Sequence, residues 1–421
     1  MSSVLSFDII TLIIDTVGEN KDIDLLKELA LVSHSFRQIC SKYLFATIEL
    51  RDALPPYQSS KKGFVKLLKS RPEVVKYIRK LTYFVSPNNR FLRHRRGSGN
   101  EDDRVLSPVL PNFLKTISQL KSLAINASRL DWSKVDSSLT SAFLYLMHLP
   151  TVNHIDLSFI TNLPLSSLIP CVNLHRLDIF YLKHITPPSE DDHGRSQLFQ
   201  SEMPRLGIRQ FYTLDSSLLT TKLLHARRRD GRPAFDFSDL KQLSTSFNHE
   251  DKENLRYLLQ NAKLLEKLQL FVHDVSQLNL VGLHDILSPT ARTLKALELT
   301  IPLCDTPPSL AGFCVELEAM AGHNKLEALA LIVNVDGHET EDFIGSVIQN
   351  VEKILIKPGW SALRQVSFEI SIACCLVSLE TSASLRETLQ TLPAKYLSHL
   401  SKLDSIAFNY SAYVVKCPFL G

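Results

Sequence analysis

Leu265-Glu-Lys-Leu268-Gln-Leu270, Leu294-Lys-Ala-Leu297-Glu-Leu299 and Leu326-Glu-Ala-Leu329-Ala-Leu331 are three versions of one phrase, apolar-x-x-apolar-x-apolar. The last two apolar positions are two apart, so they share one face of a short strand, and the first turns the chain into that strand. The phrase also occurs at Ile78/Leu81/Tyr83, Leu120/Leu123/Ile125, Val152/Ile155/Leu157 and Leu174/Leu177/Ile179. It returns at Leu363/Val366/Phe368 and Leu403/Ile406/Phe408, and further copies are hidden near Ile208/Phe211 and Leu240/Leu243. Successive full units with no suspected gap between them lie 22 to 42 residues apart. One such strand cannot bury its face alone, whereas a stack of them builds a continuous core. Between strands, Asp251-Lys-Glu-Asn-Leu-Arg-Tyr-Leu-Leu-Gln260 and Phe313-Cys-Val-Glu-Leu-Glu-Ala-Met320 have helical spacing and suit an outer layer. The predicted fold is therefore α/β, with parallel strands inside and helices outside.

This pattern resembles the leucine-rich repeat in its longer, helix-bearing form, and the resemblance implies an irregular solenoid over 76–421. The Asn or Cys that the family places three residues after the unit is mostly absent, Asn334 being the clear instance. The turns must then be satisfied in some other way. A conventional doubly wound α/β domain is the alternative; the regular motif and the lack of a Gly-rich βα turn oppose it.

The first fifty residues read differently. Ser6 is a candidate N-cap for a helix over 6–18, with Gly18 just past its end. Its polar side holds only Asp8, Thr11 and Asp15, leaving Phe7, Ile9, Ile10, Leu12, Ile13, Ile14 and Val17 on an apolar arc roughly 220° wide, against the ~100° that an ordinary surface helix needs. Three short helices cannot cover both sides of it. Asp22-Ile-Asp24 opens a second helix with Leu25, Leu26, Leu29 and Ala30. A third begins near Ser33 or Ser35, where Ser35 and Gln38 have capping-box spacing, and carries Phe36, Ile39, Cys40, Tyr43 and Leu44.

Leu5-Ser-Phe-Asp-Ile-Ile, Asp24-Leu-Leu, Leu29-Ala-Leu-Val-Ser-His-Ser-Phe36, Cys40 and Tyr43-Leu-Phe45 resemble the F-box, in the variant of large fungal families. Leu5-Ser6 stands where that family usually has Leu-Pro; Ser can cap the helix in place of Pro. The resemblance implies docking on a Skp-type adaptor and, through it, a cullin-based ubiquitin ligase. The contact residues it implies are Leu5, Phe7, Ile9, Ile10, Ile13, Leu25, Leu29, Val32 and Phe36. The domain plan is an F-box-like helical module at 1–50, a linker or connecting helix at 51–75, and the repeats from 76.

Composition fits a folded chain without an obvious cofactor. Hydrophobic residues make up 44% and charged residues 22% of 421, as in globular domains, and only 14 Gly are present, too few for Gly-rich phosphate loops to be expected. The formal charge of +3 is too small to imply a nucleic-acid field. It is uneven, however, with four Lys/Arg against seven Asp/Glu in residues 1–50. Seven scattered Cys without CxxC spacing fit reduced thiols, and the adjacent Cys374-Cys375 suits a buried strand better than a metal or redox site. Met1 to Thr11 lacks the basic start of a signal peptide, and no apolar run nears the ~18 residues of a membrane span. A cytoplasmic or nuclear protein with no membrane or nucleic-acid partner is expected.

Asn88 to Arg104 and Thr186 to Gln197 are too polar to order themselves and read as mobile loops; with Arg227-Arg228-Arg229-Asp-Gly-Arg232 they are basic spots that could meet phosphate but suit solvation. Asp191-Asp192-His193 holds metal-ligand types in a loop with no rigid frame. No Gly-x-Ser-x-Gly, Walker loop or His-Glu-x-x-His occurs, so no enzymatic activity, cofactor or metal is expected. The expected function is a substrate-recognition adaptor holding an unidentified protein on the repeats. Its rival is a leucine-rich-repeat scaffold without a ligase. Exposure of the 7–17 arc separates the two.

Overall fold

A computed structural model of the chain describes residues 7–51, 60–85, 109–182, 206–227, 231–247, 252–272, 280, 282–303, 309–336, 341–374 and 379–416. The chain divides into two compact units, Met1–Leu206 with His225–Phe235, and Gly207–Leu224 with Asp236–Gly421. Sequence reading placed no boundary there.

In the first unit, helices α1 (Phe7–Glu19), α2 (Ile23–Val32) and α3 (His34–Leu44) precede five strands. These are β1 (Thr47–Arg51), β2 (Lys80–Val85), β3 (Ser122–Asp131), β4 (His154–Thr161) and β5 (Arg176–Phe180), paired parallel in chain order. Helix α4 (Ser60–Ser70) fills the segment expected to hold a connecting helix, and α5 (Ser137–Met147) joins β3 to β4. Pairing starts earlier than residue 76. Ile48 and Leu50 stand in register with Leu81 and Tyr83, so three residues after α3 the chain is already in the sheet.

The second unit repeats the plan. Strands β6 (Gln210–Leu214), β7 (Gln242–Phe247), β8 (Lys267–Val272), β9 (Ala296–Leu303), β10 (Ala328–Asp336), β11 (Gln365–Cys374) and β12 (Ala407–Lys416) are parallel and in chain order. Helices α6 (Ser217–His225), α7 (Lys252–Asn261), α8 (Leu283–Leu287), α9 (Ser309–Met320), α10 (Glu341–Leu355) and α11 (Leu379–Tyr396) connect them, α7 and α9 covering both segments of predicted helical spacing. Both units are thus mixed α/β with parallel strands.

The phrase read from the sequence is the buried face of these strands. Leu81, Leu123, Ile155 and Leu177 are fully buried and in mutual register, as are Leu268, Leu297, Leu329 and Val366 to within 1% exposure. The units suspected at Ile208/Phe211 and Leu240/Leu243 are real and buried to the same degree. The last unit was misplaced by two residues. Val366 pairs with Phe408 and Phe368 with Tyr410, while Leu403 lies before the strand and is 37% exposed. Side chains at alternate positions face the other way and stay partly open, as in β8, where Lys267, Gln269 and Phe271 alternate with buried Leu268, Leu270 and Val272.

The strand starts are tied together by backbone, with side chains adding to the turns at Asn173, which donates to Pro150 O at 2.6 Å, and Asn324, which accepts from the Leu326 N–H at 3.0 Å. Just before each strand, one carbonyl accepts two successive N–H groups from the start of the next strand. Ala46 O takes Arg79 and Lys80, Arg79 O takes Lys121 and Ser122, Lys121 O takes Asn153 and His154, and Asn153 O takes His175 and Arg176, all at 2.7–3.2 Å. In the second unit the same relay runs through Arg209, Lys241, Glu266, Lys295 and Glu327. This replaces the missing Asn ladder; Asn334 itself is exposed on β10. Carbonyl oxygens have two lone pairs, so each acceptor is used fully where side chains would otherwise be needed.

Candidate docking face

The three N-terminal helices close a small core of their own. Ile14, Leu26, Ala30, Ile39 and Cys40 are buried, with Ile10, Val17, Leu29, Phe36, Tyr43 and Leu44 packed around them. Asp22 caps α2 by accepting from the Leu25 N–H at 3.1 Å, and Ser33 caps α3 by accepting from the Phe36 N–H at 3.3 Å. Ser33 rather than Ser35 is thus the cap, because only Ser33 has extended backbone ahead of the helix; Ser35 lies inside it. The expected cap Ser6 falls outside the described residues.

Gly18 does not end α1, which continues to Glu19. It is there for space: a Cβ at this position would lie 2.4 Å from Cδ1 of the Tyr43 ring. In the last turn of α1 this Gly permits α1 and α3 to approach. The contact turns α1 so that Asp15, expected on the polar side, meets Lys42 of α3 at 2.6 Å. The hydrogen bond from Lys42 holds the Asp15 carboxyl below its ordinary value.

The rotation leaves the rest of the apolar arc open. Phe7, Ile9, Leu12 and Ile13 of α1 and Ile23, Leu25, Leu31 and Val32 of α2 are all exposed, Leu12 at 67% and Leu31 at 78%. Of the nine residues implied by the resemblance, Phe7, Ile9, Ile13, Leu25 and Val32 are therefore on this face. Ile10, Leu29 and Phe36 are half-buried and pack inward, and Leu5 is outside the described residues. Leu12, Ile23 and Leu31 were missed. Leu12 belongs to the arc already read as apolar and could have been named. Exposed apolar residues scattered singly are ordinary, but eight on two adjacent helices make a set that marks interaction.

A second arrangement, on the open face of the first unit's sheet, was not foreseen. Ser122, His154 and Arg176 are register partners, and Asp178 lies two residues beyond Arg176. Ser122 Oγ is 2.9 Å from His154 Nδ1, and His154 Nε2 is 3.0 Å from Asp178 Oδ2. Arg176 adds a two-pronged contact to the same carboxylate, at 3.0 Å from Nε and 2.8 Å from Nη2. Beside it Asp156 is held by Ser158 Oγ at 3.1 Å, while burial, and then the charge of Asp178, push its carboxyl up. The order Ser–His–Asp suggests nucleophilic chemistry. Yet Asp178 is shared, its carboxylate paired with the Arg176 guanidinium as well as with the imidazole. What the geometry supports is a rigid polar ladder across three strands. Its partners are 24 to 32 residues apart, a spacing visible only once the units are aligned.

The remaining chemistry is quiet. Cys40 and Cys171 are buried free thiols, and burial pushes Cys171 up to about 12, far from a reactive thiolate. Among the described residues no group of three metal-ligand side chains converges, and no helix is long and apolar enough to cross a membrane. The Asp191–His193 cluster, both polar loops and Cys375 lie outside those residues; Arg227 follows α6 and is exposed. Neither a family model nor a curated protein matches the sequence.

Proposed function

We propose that the chain is a substrate-recruiting adaptor of an F-box type. Helices α1–α3 dock on the Skp-type subunit of a cullin ubiquitin ligase, and the repeats, a leucine-rich-repeat array, hold a protein substrate. The observation that carries this reading is the set of eight exposed apolar residues on α1 and α2, helices that already have a closed core. Burying a side chain of this size is worth about 1.5–3 kcal/mol, so the face offers roughly 10 kcal/mol before the costs of association. No residue of this chain need do chemistry, since holding a substrate beside a conjugating enzyme raises its effective concentration.

Co-purification with a recombinant Skp-type adaptor tests the proposal, comparing the wild type with Leu12→Asp plus Ile13→Asp. Both residues are exposed, whereas Ile10 supports the core and is left alone. Stoichiometric binding lost in the double variant, with an unchanged melting curve, is the expected result. A folded wild type that binds no adaptor would sink the ligase reading and leave a repeat scaffold.

A further inference from the structure

Residues 60–80 hold eight Lys or Arg and a single acid, Glu73. That acid is already taken by Arg71, at 3.1 Å. Lys66, Lys69, Lys76 and Lys80 are all exposed, as are Lys115 and Lys121 further on, and none of the six has a carboxylate within ion-pair distance among the described residues. The fold gathers several of them. The carbonyl relay sets Arg79 beside Lys121 on neighbouring strands, about 4.8 Å apart at the backbone, with Lys76 one turn before and Lys80 one residue after. The next two positions of the same rim are Asn153 and His175, so no acid interrupts it.

The corresponding rim of the second unit provides an internal contrast. Its relay residues are Arg209, Lys241, Glu266, Lys295, Glu327 and Arg364; from Lys241 onward acids alternate with bases, and Lys295 meets Glu266 at 3.6 Å. The same backbone device thus displays a row with two acids among four bases in one unit and a row without any acid in the other. Like charges held this close repel one another, and an anionic partner relieves that repulsion.

We propose that the strand-start rim of the first unit, centred on Lys76, Lys80 and Lys121, binds an acidic segment of a partner protein. Three features favour carboxylates on a polypeptide over other polyanions. No large apolar side chain is exposed in the described parts of 60–127, so there is nothing to insert into a bilayer or to stack on bases. Nη1 of Arg79 donates to the Lys76 and Ile78 carbonyls, at 2.6 and 3.3 Å, so part of the guanidinium is committed to the backbone. The lysines are point charges on flexible stems, and an extended chain presents alternate side chains about 7 Å apart, within their reach. The proposal does not depend on α1–α3 or on a ligase.

The test is fluorescence anisotropy of a labelled octaglutamate peptide with the full chain, at low salt and near 150 mM. Lys76→Glu/Lys80→Glu/Lys121→Glu is compared with Lys263→Glu/Lys325→Glu/Lys402→Glu, which makes the same change in net charge at exposed lysines of the second unit. The expected result is binding that weakens with salt, falls at least tenfold in the rim variant and changes less than twofold in the control, both variants melting as the wild type does. Equal losses in the two variants would reduce the effect to net charge and overturn the site. Tighter binding of duplex DNA, or of vesicles rich in phosphatidylserine, than of the peptide would overturn the choice of partner. So would no binding by the folded wild type at low salt.

Discussion

Helices α1 and α10 carry the same number of large apolar residues, seven each, and use them in opposite ways. In α10, Ile344, Ile348, Val351, Ile354 and Leu355 are all buried. In α1, only Ile14 is. Their close-packing device is the same. Gly345 makes room for the Tyr396 ring of α11 as Gly18 does for Tyr43, each ring standing where a Cβ would go. What differs is the spread of apolar positions around the helix. Those of α10 fall on a single stripe that its neighbours cover. Those of α1 span more than half the wheel, and two short helices on one side leave the remainder bare. That bare remainder of α1 is what the proposed docking would bury.

Four measurements break or sharpen that comparison. The largest effect is expected from charge placed in the two stripes. Ile348→Asp puts a carboxylate in a fully buried position and should cost about 4 kcal/mol or more, whereas Leu12→Asp should leave the melt of the free chain within about 0.5 kcal/mol. Similar losses for both would mean that the face of α1 is not open.

Next come the inward-pointing acids. Glu352 of α10 is 4% exposed and accepts from the N–H groups of His399 and Leu400 at 2.8 and 3.0 Å, so Glu352→Ala strands two donors at a cost of about 2–3 kcal/mol. Asp15 of α1 is about one-third exposed, and Asp15→Ala should cost less than about 1 kcal/mol. Urea titrations of both variants would show whether the two acids rank in this order.

Gly18→Ala comes third. Helix propensity favours it by about 1 kcal/mol, but its Cβ must displace the Tyr43 ring, and a net loss of about 1–2 kcal/mol is expected. A more stable variant would show that the ring gives way easily.

The smallest effect is with pH. The folded pKa of Asp15 is depressed by Lys42, so its contribution is complete above the unfolded value of about 4 and is lost as pH falls through the folded value. Acid should therefore loosen α1 from α3 only below about pH 4, and the Asp15→Ala variant should lack that part of the acid transition.

Most of the buried half of this molecule was legible in the sequence, because a period-two apolar pattern states which face a strand buries. The errors fall where two patterns overlap. Leu403/Ile406/Phe408 fits the phrase better than Ser405/Phe408/Tyr410, and only pairing with Val366 and Phe368 selects the second. Ile48 and Leu50 form a strand unit that was absorbed into the end of the helical module. Gly18 was taken for a stop because its packing partner, Tyr43, is 25 residues away. The polar ladder on the first unit's sheet was not legible. Whether Ser122, His154 and Asp178 meet depends on register between strands, and polar residues carry no periodic signature of that register.

The carbonyl relay has a consequence for how such a chain can change over time. Each strand-start link is made by main-chain atoms that every residue except proline can supply, so the link itself does not depend on which side chain stands there. Arg79, Lys121, Asn153, Lys241 and Glu327 occupy equivalent places with unrelated chemistry. The rim is therefore a surface that mutation can rewrite one residue at a time while the hydrogen bonds beneath it stay the same, and new specificities are within reach without refolding the molecule.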